Sequence, residues 1–532
     1  MLPIEKLNFG FNDAENYRRR ENKELLNQFF IRTEELDKLI HGNYFFLMGE
    51  KGTGKTAYAV YLSNNNYKET TASLKYIRET EYQKFISMKL EKHLTLSDYT
   101  NIWKVIIYLL MAEIIHEKEA TNFIYRSFPK FKNLKDAIDE YYINAFSPEI
   151  IQAIQFVEES KIAAELISKY AKAGGEEKTG ITFTETRFQN NLFYIQRKFE
   201  DTFESLKLKL NHILFIDGID IRPLGIPFND YLECIKGLAN AVWSVNNDIF
   251  SNIKDSKGRM KVVLLIRPDI FNSLGLQNQN NKIRDNSVLL DWQTIYTNYR
   301  SSKIFKVADK LLASQQNQEI EPGKAWDNYF PFEIKNQLHE NLKDSPFIYF
   351  LRNSYYRPRD IISMLNFLKD KAVLNGNEQC YFTKRDLEDS DFKRNYSDYL
   401  LGEIKDALSF YYTNDDYELF LKFFEFLDGK NSFDYYEYES AYLQFIEFMN
   451  LNQLTLPSFF ETVDIFLQFL YELNVICYIE YAGNQKFHRW CFRERSPGNF
   501  SPKIKTHESY SIHPGLTKAL NTGSHIQRRR RQ

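Results

Sequence analysis

The stretch YFFLMGEKGTGKT, from Tyr44 to Thr56, joins a short apolar run to a glycine-rich loop. The apolar run, residues 44–48, lies between His41-Gly42-Asn43 and Gly49. A short, wholly apolar run with such boundaries is typical of a strand that is buried on both faces of a parallel sheet. The residues after Thr56 follow a helical pattern, so the stretch predicts the order strand, loop, helix.

The glycine-rich loop, residues 49–56, fits the pattern G-x-x-x-x-G-K-[ST]. Glycines let the backbone N–H groups wrap a phosphate at the positive end of a helix, where Cβ atoms would obstruct it. Lys55 is predicted to reach the β- and γ-phosphates of ATP, and the Thr56 hydroxyl to bind Mg²⁺. The predicted ATP-binding residues are Gly49, Glu50, Lys51, Gly52, Thr53, Gly54, Lys55, Thr56 and Ala57.

Three later apolar runs have the same character as residues 44–48. They span residues 212–216, 261–266 and 287–290, and each ends in charged or turn-forming residues. Residues 73–77 are a candidate for a fifth strand. Because helical patterns separate these runs, the sequence predicts βαβ connections and an α/β fold with a parallel sheet.

Asp217 ends the second apolar run, at the edge of a parallel sheet where ligands are usually bound. We expect Thr56 and Asp217 to hold the Mg²⁺ ion. Many ATPases place a glutamate directly after this aspartate, but Gly218 stands there, so slow turnover is expected. Asp220 has two interpretations of equal weight, as the carboxylate that positions the attacking water or as a helix cap or salt-bridge partner of Arg222.

These residues resemble the AAA-like P-loop ATPases of the STAND and KAP kind, particularly a bacterial group often found beside phage-defence genes. The spacing of Asp217, Asp220 and Arg222 is similar to the Walker B strand of that group. The resemblance implies that Arg267, after the next strand, lies near the γ-phosphate as a sensor. It also implies that Arg359, at the start of a helix, is a second sensor in a helical lid, whereas we expect Arg357 to form a salt bridge.

The resemblance and the residue patterns together suggest a modular chain. The predicted parts are a P-loop ATPase domain (1–312) with a helical insertion (about 95–175), a helical lid (313–400), a C-terminal helical, winged-helix-like domain (401–522) and a disordered basic tail (523–532).

Composition excludes several classes of protein. Lys and Arg total 69 and Asp and Glu total 71, so the net charge of −2 argues against a globally basic nucleic-acid coat. The longest apolar stretch is too short to span a bilayer and the first residues lack the apolar core of a signal peptide, so we expect a cytoplasmic protein without membrane contact. The four cysteines are far apart and form no CxxC pair, which favours neither disulfides nor zinc.

Two functions remain open on the sequence. The first is a Mg²⁺-dependent ATPase that acts as a conformational switch, by resemblance in bacterial antiphage defence, as a homo-oligomer or with an effector protein encoded elsewhere. The alternative is an ATP-gated DNA-binding protein whose C-terminal domain contacts DNA. The residues predicted to contact DNA are Arg489, Arg493, Arg495, Lys503, Lys505 and Lys518, with Trp490 and Phe492 between them. A small-molecule kinase and an inactive nucleotide-binding scaffold are less favoured.

Overall fold

The computed structural model describes residues 1–77, 96–119, 185–223, 225–335, 343–376, 378–483 and 485–523. The chain divides into two compact units. The first, which we call the sheet unit, consists of Arg32–Gly49 and Lys55–Leu290. The second, which we call the helical unit, consists of Met1–Ile31, Glu50–Gly54 and Asp291–Gln532. The predicted domain boundaries at residues 312, 400 and 522 remain predictions.

The elements of the described residues are numbered in chain order. The strands are β1 (Phe46–Met48), β2 (Thr70–Tyr76), β3 (Asn211–Asp217), β4 (Met260–Ile266), β5 (Ser287–Leu289), β6 (Ile334–Lys335), β7 (Lys343–Asp344), β8 (Ser432–Asp434), β9 (Ile476–Ala482), β10 (Gln485–Arg489) and β11 (Ser509–Ile512). The helices are α1 (Lys23–Phe29), α2 (Glu34–Ile40), α3 (Lys55–Asn64), α4 (Leu96–Glu119), α5 (Glu185–Ser205), α6 (Phe228–Ser244), α7 (Pro268–Ser273), α8 (Gln279–Asn286), α9 (Lys303–Ala313), α10 (Lys324–Tyr329), α11 (Pro346–Asn353), α12 (Pro358–Leu374), α13 (Lys384–Glu388), α14 (Ser390–Leu408), α15 (Asn414–Phe423), α16 (Tyr435–Leu451), α17 (Val463–Glu472) and α18 (Cys491–Glu494).

A five-stranded parallel sheet forms the centre of the sheet unit, in the order β2-β3-β4-β1-β5. Leu47 of β1 lies opposite Leu265 on one side and Val288 on the other. Every residue of β1 and β4 is buried, which explains why, apart from Lys261, their sequences are continuously apolar rather than alternating. The prediction of an α/β fold with a parallel sheet is therefore confirmed, and the candidate fifth strand is β2.

The helical unit is held together largely by aromatic side chains. Trp326 of α10 packs against Phe305 of α9 and against Phe347 and Phe350 of α11, with ring centroids 5.0 to 6.2 Å apart. Edge-to-face pairs of this kind add to the free energy of burial. The high aromatic content of the sequence, 16%, is thus used in packing here.

The end of the chain contains helices and an antiparallel sheet, in the sequence order α15, β8, α16, α17, β9, β10. The sheet has the strand order β10-β9-β11-β8. Phe423 of α15 and Phe466 of α17 pack edge to face in the core between these helices, 4.7 Å apart. A helical C-terminal region was predicted, and it is present.

Two elements differ in extent from what their sequence patterns suggest. The pattern of residues 294–314 favours one helix, but Tyr296–Ser301 form a 3-10 helix and α9 begins at Lys303, where the Ser302 side chain accepts a hydrogen bond from the Phe305 N–H. The pattern of residues 486–494 favours one strand, but β10 ends at Arg489 and a short helix, α18, follows.

The predicted helical insertion at 95–175 is described only as far as α4, and its remainder lies outside the described residues. The same is true of the predicted basic tail beyond Gly523. Within the described ranges, none of the helices combines the length and the apolar character needed to cross a membrane.

Candidate functional site

The carboxyl edge of the parallel sheet collects the predicted phosphate and metal residues of the sheet unit. Gly49 follows β1 directly, and its N–H donates to the Ile266 carbonyl at the end of β4. Lys55 and Thr56 begin α3, and Asp217 ends β3. Because parallel strands end at one edge, residues that are 161 positions apart in sequence meet here.

Lys55 is buried, with 6% of its side chain exposed. Its ammonium donates a hydrogen bond to the Gly49 carbonyl oxygen at 2.8 Å. It also lies 3.6 Å from a carboxylate oxygen of Asp220. A buried ammonium needs such partners because its desolvation is costly. The fold therefore holds a positive charge beside the loop that follows β1.

Thr56 and Asp217 contact each other directly. The Thr56 hydroxyl donates to a carboxylate oxygen of Asp217 at 2.6 Å, and the Gly218 N–H donates to the other oxygen at 2.8 Å. The pKa of Asp217 is raised to about 6, chiefly by burial. The hydrogen bond from Thr56 opposes this shift, and the negative charge of Asp220 adds to it. The arrangement offers a hydroxyl and a carboxylate, both oxygen donors, at one point.

Asp220 lies three residues beyond β3, in the loop where the sequence left its role open. Among the described residues, its oxygen Oδ1 is buried without a hydrogen-bond partner, while Oδ2 faces Lys55. Arg222, the partner considered from sequence, donates from Nη1 to the Ile226 carbonyl at 2.7 Å. Lys55 is thus a partner of Asp220 that the sequence alternatives did not include.

Gly218 occupies a position that a larger residue would strain. Its φ is +93°, in the left-handed region, and a Cβ added there would lie 2.5 Å from the carbonyl oxygen of Ile77. The close approach of Ile77, next to the end of β2, therefore explains why a glycine stands where many ATPases have a glutamate.

Replacing Gly218 by alanine is expected to reduce the free energy of unfolding by about 2–3 kcal/mol, since both the left-handed φ and the Ile77 contact oppose a Cβ. Chemical denaturation measures this loss. Gly225 is a matched control, because its φ is +82° but a Cβ there would meet nothing within 4 Å. We expect Gly225→Ala to cost about 1 kcal/mol. Equal losses for the two variants would refute the steric argument.

Arg267 directly follows β4, the strand that lies between β3 and β1. It precedes α7, is 4% exposed, and its guanidinium binds the carboxylate of Asp269 through Nε and Nη2. The strand order therefore places Arg267 at the same sheet edge as Asp217 and Gly49. Its predicted role as a γ-phosphate sensor remains a prediction.

The middle of the glycine-rich loop, Glu50–Gly54, belongs to the helical unit. Gly52 and Gly54 have φ values of +85° and +97°, which favour glycine. A Cβ on Gly52 would lie 3.1 Å from the Cβ of Arg359. The Thr53 hydroxyl donates to the Glu50 carbonyl at 2.8 Å, and the Thr53 carbonyl accepts from Trp292 Nε1 at 2.9 Å.

The two arginines that open α12 are both engaged within the helical unit. The Arg359 N–H donates to the Gly52 carbonyl at 3.3 Å, and its side chain donates to the Asn12 carbonyl and lies 3.4 Å from Glu403. Arg357 is buried and forms a salt bridge with Asp360 at 2.6 Å, as expected from the sequence. The phosphate contact predicted for Arg359 remains a prediction.

Most of the basic residues predicted to contact DNA are held by partners inside the helical unit. Arg489 and Lys505 both bind Glu480, and Arg495 binds Glu50. Arg493 stacks on aromatic rings, whereas Trp490 and Phe492 are buried. In the described ranges, only the side chains of Lys503 and Lys518 in this set are exposed and make no hydrogen bond or ion pair.

Four contributors to the loop's surroundings could not be found from sequence: Trp292, Glu403, Asp406 and Arg495. No motif surrounds them. Their relation to Glu50–Gly54 arises from contacts between residues 239 to 445 positions apart, which local patterns do not encode. In the part of the chain that is described, no group of three or more His, Cys, Asp or Glu residues could hold a metal ion.

In a comparison with known families, residues 302–405 match the FunZ-associated C-terminal helical domain. The matched range covers α9 to most of α14, and it includes Arg357, Arg359 and Glu403. No curated protein matches the chain.

Proposed function

We propose that this chain is a Mg²⁺-dependent ATPase that acts as a nucleotide-driven conformational switch. The observation that carries the proposal is the meeting of Lys55, Thr56 and Asp217 at the carboxyl edge of a parallel sheet, directly after a glycine-rich loop. A structural salt bridge would not require the glycine pattern, and a tight turn would not require the buried ammonium and carboxylate.

In this proposal the loop binds the phosphates of ATP. Its backbone N–H groups and the first turn of α3 supply partial positive charge, and Lys55 adds a full one. The Lys55 ammonium now donates to Gly49, so a phosphate oxygen would compete with that carbonyl for it. An anion such as phosphate carries more negative charge than a carbonyl oxygen, so Lys55 is expected to favour the anion over Gly49.

The residues present fit a magnesium ion. Mg²⁺ prefers oxygen ligands and is bound in such sites by one or two protein groups together with phosphates and water. The Thr56 hydroxyl and the Asp217 carboxylate are such groups. When bound, the ion would supply charge for the transferring phosphoryl group.

Hydrolysis would further need a base or a positioned water, and Asp220 is the candidate. We expect Asp220→Asn to leave ATP affinity unchanged or tighter, because it removes a negative charge beside Lys55, and to slow turnover by roughly a hundredfold. Single-turnover kinetics and equilibrium binding separate the two effects. Asp201→Asn, an exposed acid on α5, is the control. Normal turnover in Asp220→Asn would return Asp220 to a structural role.

The switch part of the proposal rests on the modular chain and on the family resemblance. The resemblance also suggests bacterial antiphage defence, with a homo-oligomer or a separate effector protein as partner. The match to a FunZ-associated helical domain covers residues 302–405, which is consistent with a chain that joins this domain to a second one with a function of its own.

The proposal is tested first by ATP turnover of the purified protein with and without Mg²⁺, and by its mass in solution with and without ATP. Turnover that needs Mg²⁺ supports an ATPase, and an ATP-dependent change in mass supports a switch that assembles. Absence of both binding and turnover at millimolar ATP would refute the proposal.

We propose DNA binding as a second candidate because the order α15, β8, α16, α17, β9, β10 resembles that of a winged-helix domain. The internal pairing of Arg489, Arg495 and Lys505 weighs against it. Stimulation of ATP turnover by double-stranded DNA would nevertheless move this function ahead of the switch.

A further inference from the structure

Other residues of the helical unit hold the middle of the glycine-rich loop, Glu50–Gly54, by contacts with its side chains and its backbone. The Lys51 ammonium binds the carboxylate of Asp406 and lies 3.4 Å from Glu403, both on α14. Lys51 is therefore engaged by two acids more than 350 residues away along the chain. Its side chain is directed to α14.

The backbone of the same segment is held at three carbonyl groups. The Lys51 carbonyl accepts from Arg357 Nη1 at 2.9 Å, the Gly52 carbonyl accepts from the Arg359 N–H at 3.3 Å, and the Thr53 carbonyl accepts from Trp292 Nε1 at 2.9 Å. In a trans peptide the N–H points away from the carbonyl. Anchoring the Lys51 and Thr53 carbonyls thus orients the N–H groups of the following residues, Gly52 and Gly54.

The N–H groups of Gly52 and Gly54 are the donors that the anchored carbonyls orient. Within the described part of the chain, neither the Gly52 nor the Gly54 N–H donates a hydrogen bond. Both residues have positive φ, which helps to turn successive N–H groups toward one side. The contacts that anchor the carbonyls therefore orient the N–H groups that donate no hydrogen bond within the described residues.

Glu403 is central to these contacts because its carboxylate forms ion pairs with three cationic side chains. Its carboxylate lies 3.4 Å from Lys51, Arg357 and Arg359. Burial raises the pKa of Glu403, but the charges of Arg357, Lys51 and Arg359 together lower it below its ordinary value. Glu403 therefore stays ionised, and the arginine that holds the Lys51 carbonyl is itself oriented by Glu403 and Asp360.

We propose that Glu403 and Asp406 are positioning residues for ATP binding: through Lys51 and Arg357 they fix residues 51–54 so that the Gly52 and Gly54 N–H groups face the phosphates. The inference rests on the proposed function. In this inference the matched helical domain positions the loop, because it supplies Arg357, Arg359 and Glu403. It also changes the role of Lys51, whose side chain anchors the loop and does not touch the nucleotide.

A double-mutant cycle tests the proposal. Lys51→Met and Asp406→Asn each remove one partner of the same ion pair, so we expect each to weaken ATP·Mg²⁺ binding about tenfold and the double variant to be no weaker than the worse single one. Glu403→Gln is expected to weaken binding at least as much. Asp398→Asn, an acid on α14 that pairs only with the exposed Arg394 among recorded ion pairs, is the matched control and should leave affinity unchanged.

Three results would overturn the proposal. Weakening by Lys51→Met together with unchanged or tighter binding by Asp406→Asn and Glu403→Gln would mean that Lys51 contacts phosphate directly. Additive losses in the cycle would mean independent roles. A fall in thermal midpoint with no change in affinity measured well below that midpoint would mean a purely structural role. Asp406 is 60% exposed, so its variant is expected to fold even if Glu403→Gln, at a buried site, does not.

Hydrogen–deuterium exchange separates failure of this inference from failure of the proposed function. Without ATP, the Thr53 N–H, which donates to the Glu50 carbonyl at 3.2 Å, should exchange faster in Lys51→Met and Asp406→Asn than in the wild type, and at the wild-type rate in Asp398→Asn. Wild-type protein that binds no ATP would refute the proposed function whatever the exchange shows. Unchanged exchange in Lys51→Met and Asp406→Asn would refute the claim that these side chains hold the loop in place.

Discussion

ATP binding is expected to weaken at least about a hundredfold when Lys55 is replaced by methionine. Methionine keeps the length and apolar stem of the side chain but removes the buried ammonium that lies beside Gly49 and Asp220. Loss of one partner of a buried, hydrogen-bonded charge pair costs several kcal/mol, and about 2.7 kcal/mol corresponds to a hundredfold change in affinity. Titration calorimetry with ATP and Mg²⁺ measures the effect.

Lys257→Met is the control for this substitution. Lys257 lies in the same unit, is 70% exposed and pairs only with Glu69 among recorded ion pairs, so we expect unchanged affinity. If Lys55→Met retained the wild-type affinity, the glycine-rich loop would lose its assigned role and the proposed function would fail with it.

Asp217→Asn is expected to reduce Mg²⁺-dependent turnover by about a hundredfold or more. Asparagine preserves the size of the side chain and can still accept the hydrogen bond from Thr56, but it lacks the charge that holds a magnesium ion. Steady-state turnover over a range of Mg²⁺ concentrations measures the effect. Unchanged turnover would show that another acid holds the metal.

The same variant should become more stable than the wild type as pH rises. Burial raises the pKa of Asp217 from 3.8 to about 6, so the folded state disfavours its charged form. The wild type therefore loses stability between about pH 4 and pH 6, by an upper limit of about 3 kcal/mol, and the loss is complete above pH 6. Asp217→Asn, which does not titrate, should escape this loss. Thermal midpoints of both proteins at pH 4.5 and pH 7.5, without nucleotide, measure the difference, and a difference that does not depend on pH would refute the shifted pKa.

The parallel sheet could be predicted because strands buried on both faces leave a strong signal. Residues 44–48, 212–216, 261–266 and 287–290 were predicted from continuous apolar runs, and β1, β3, β4 and β5 lie there. The extents of elements were less predictable. The start of α9 is set by the Ser302 cap, a single hydrogen bond that apolar periodicity does not record, and the periodicity does not show the change from β10 to α18 after Arg489 either.

The candidate site was predictable where a motif or a strand end carried it. Lys55, Thr56 and Asp217 follow from such local signals, and the fold brings Thr56 and Asp217 into contact. The contact between Asp220 and Lys55 did not follow, because the sequence offered Arg222 as the nearer partner. The reason for Gly218 was also hidden, since the carbonyl of Ile77 that excludes a side chain is more than 140 residues away in sequence.

The strand, the glycine-rich loop and the helix can be predicted from sequence, and the loop's pattern predicts a phosphate ligand. These are local properties, which depend on apolar runs, on the spacing of glycines and on charges at the start of a helix. How Glu50–Gly54 is held depends on the tertiary structure. Glu403 and Asp406 of α14 reach Lys51, and Arg495 reaches Glu50. Ion pairs between residues so far apart depend on how the helices pack, and packing is a property of the whole fold and not of any segment.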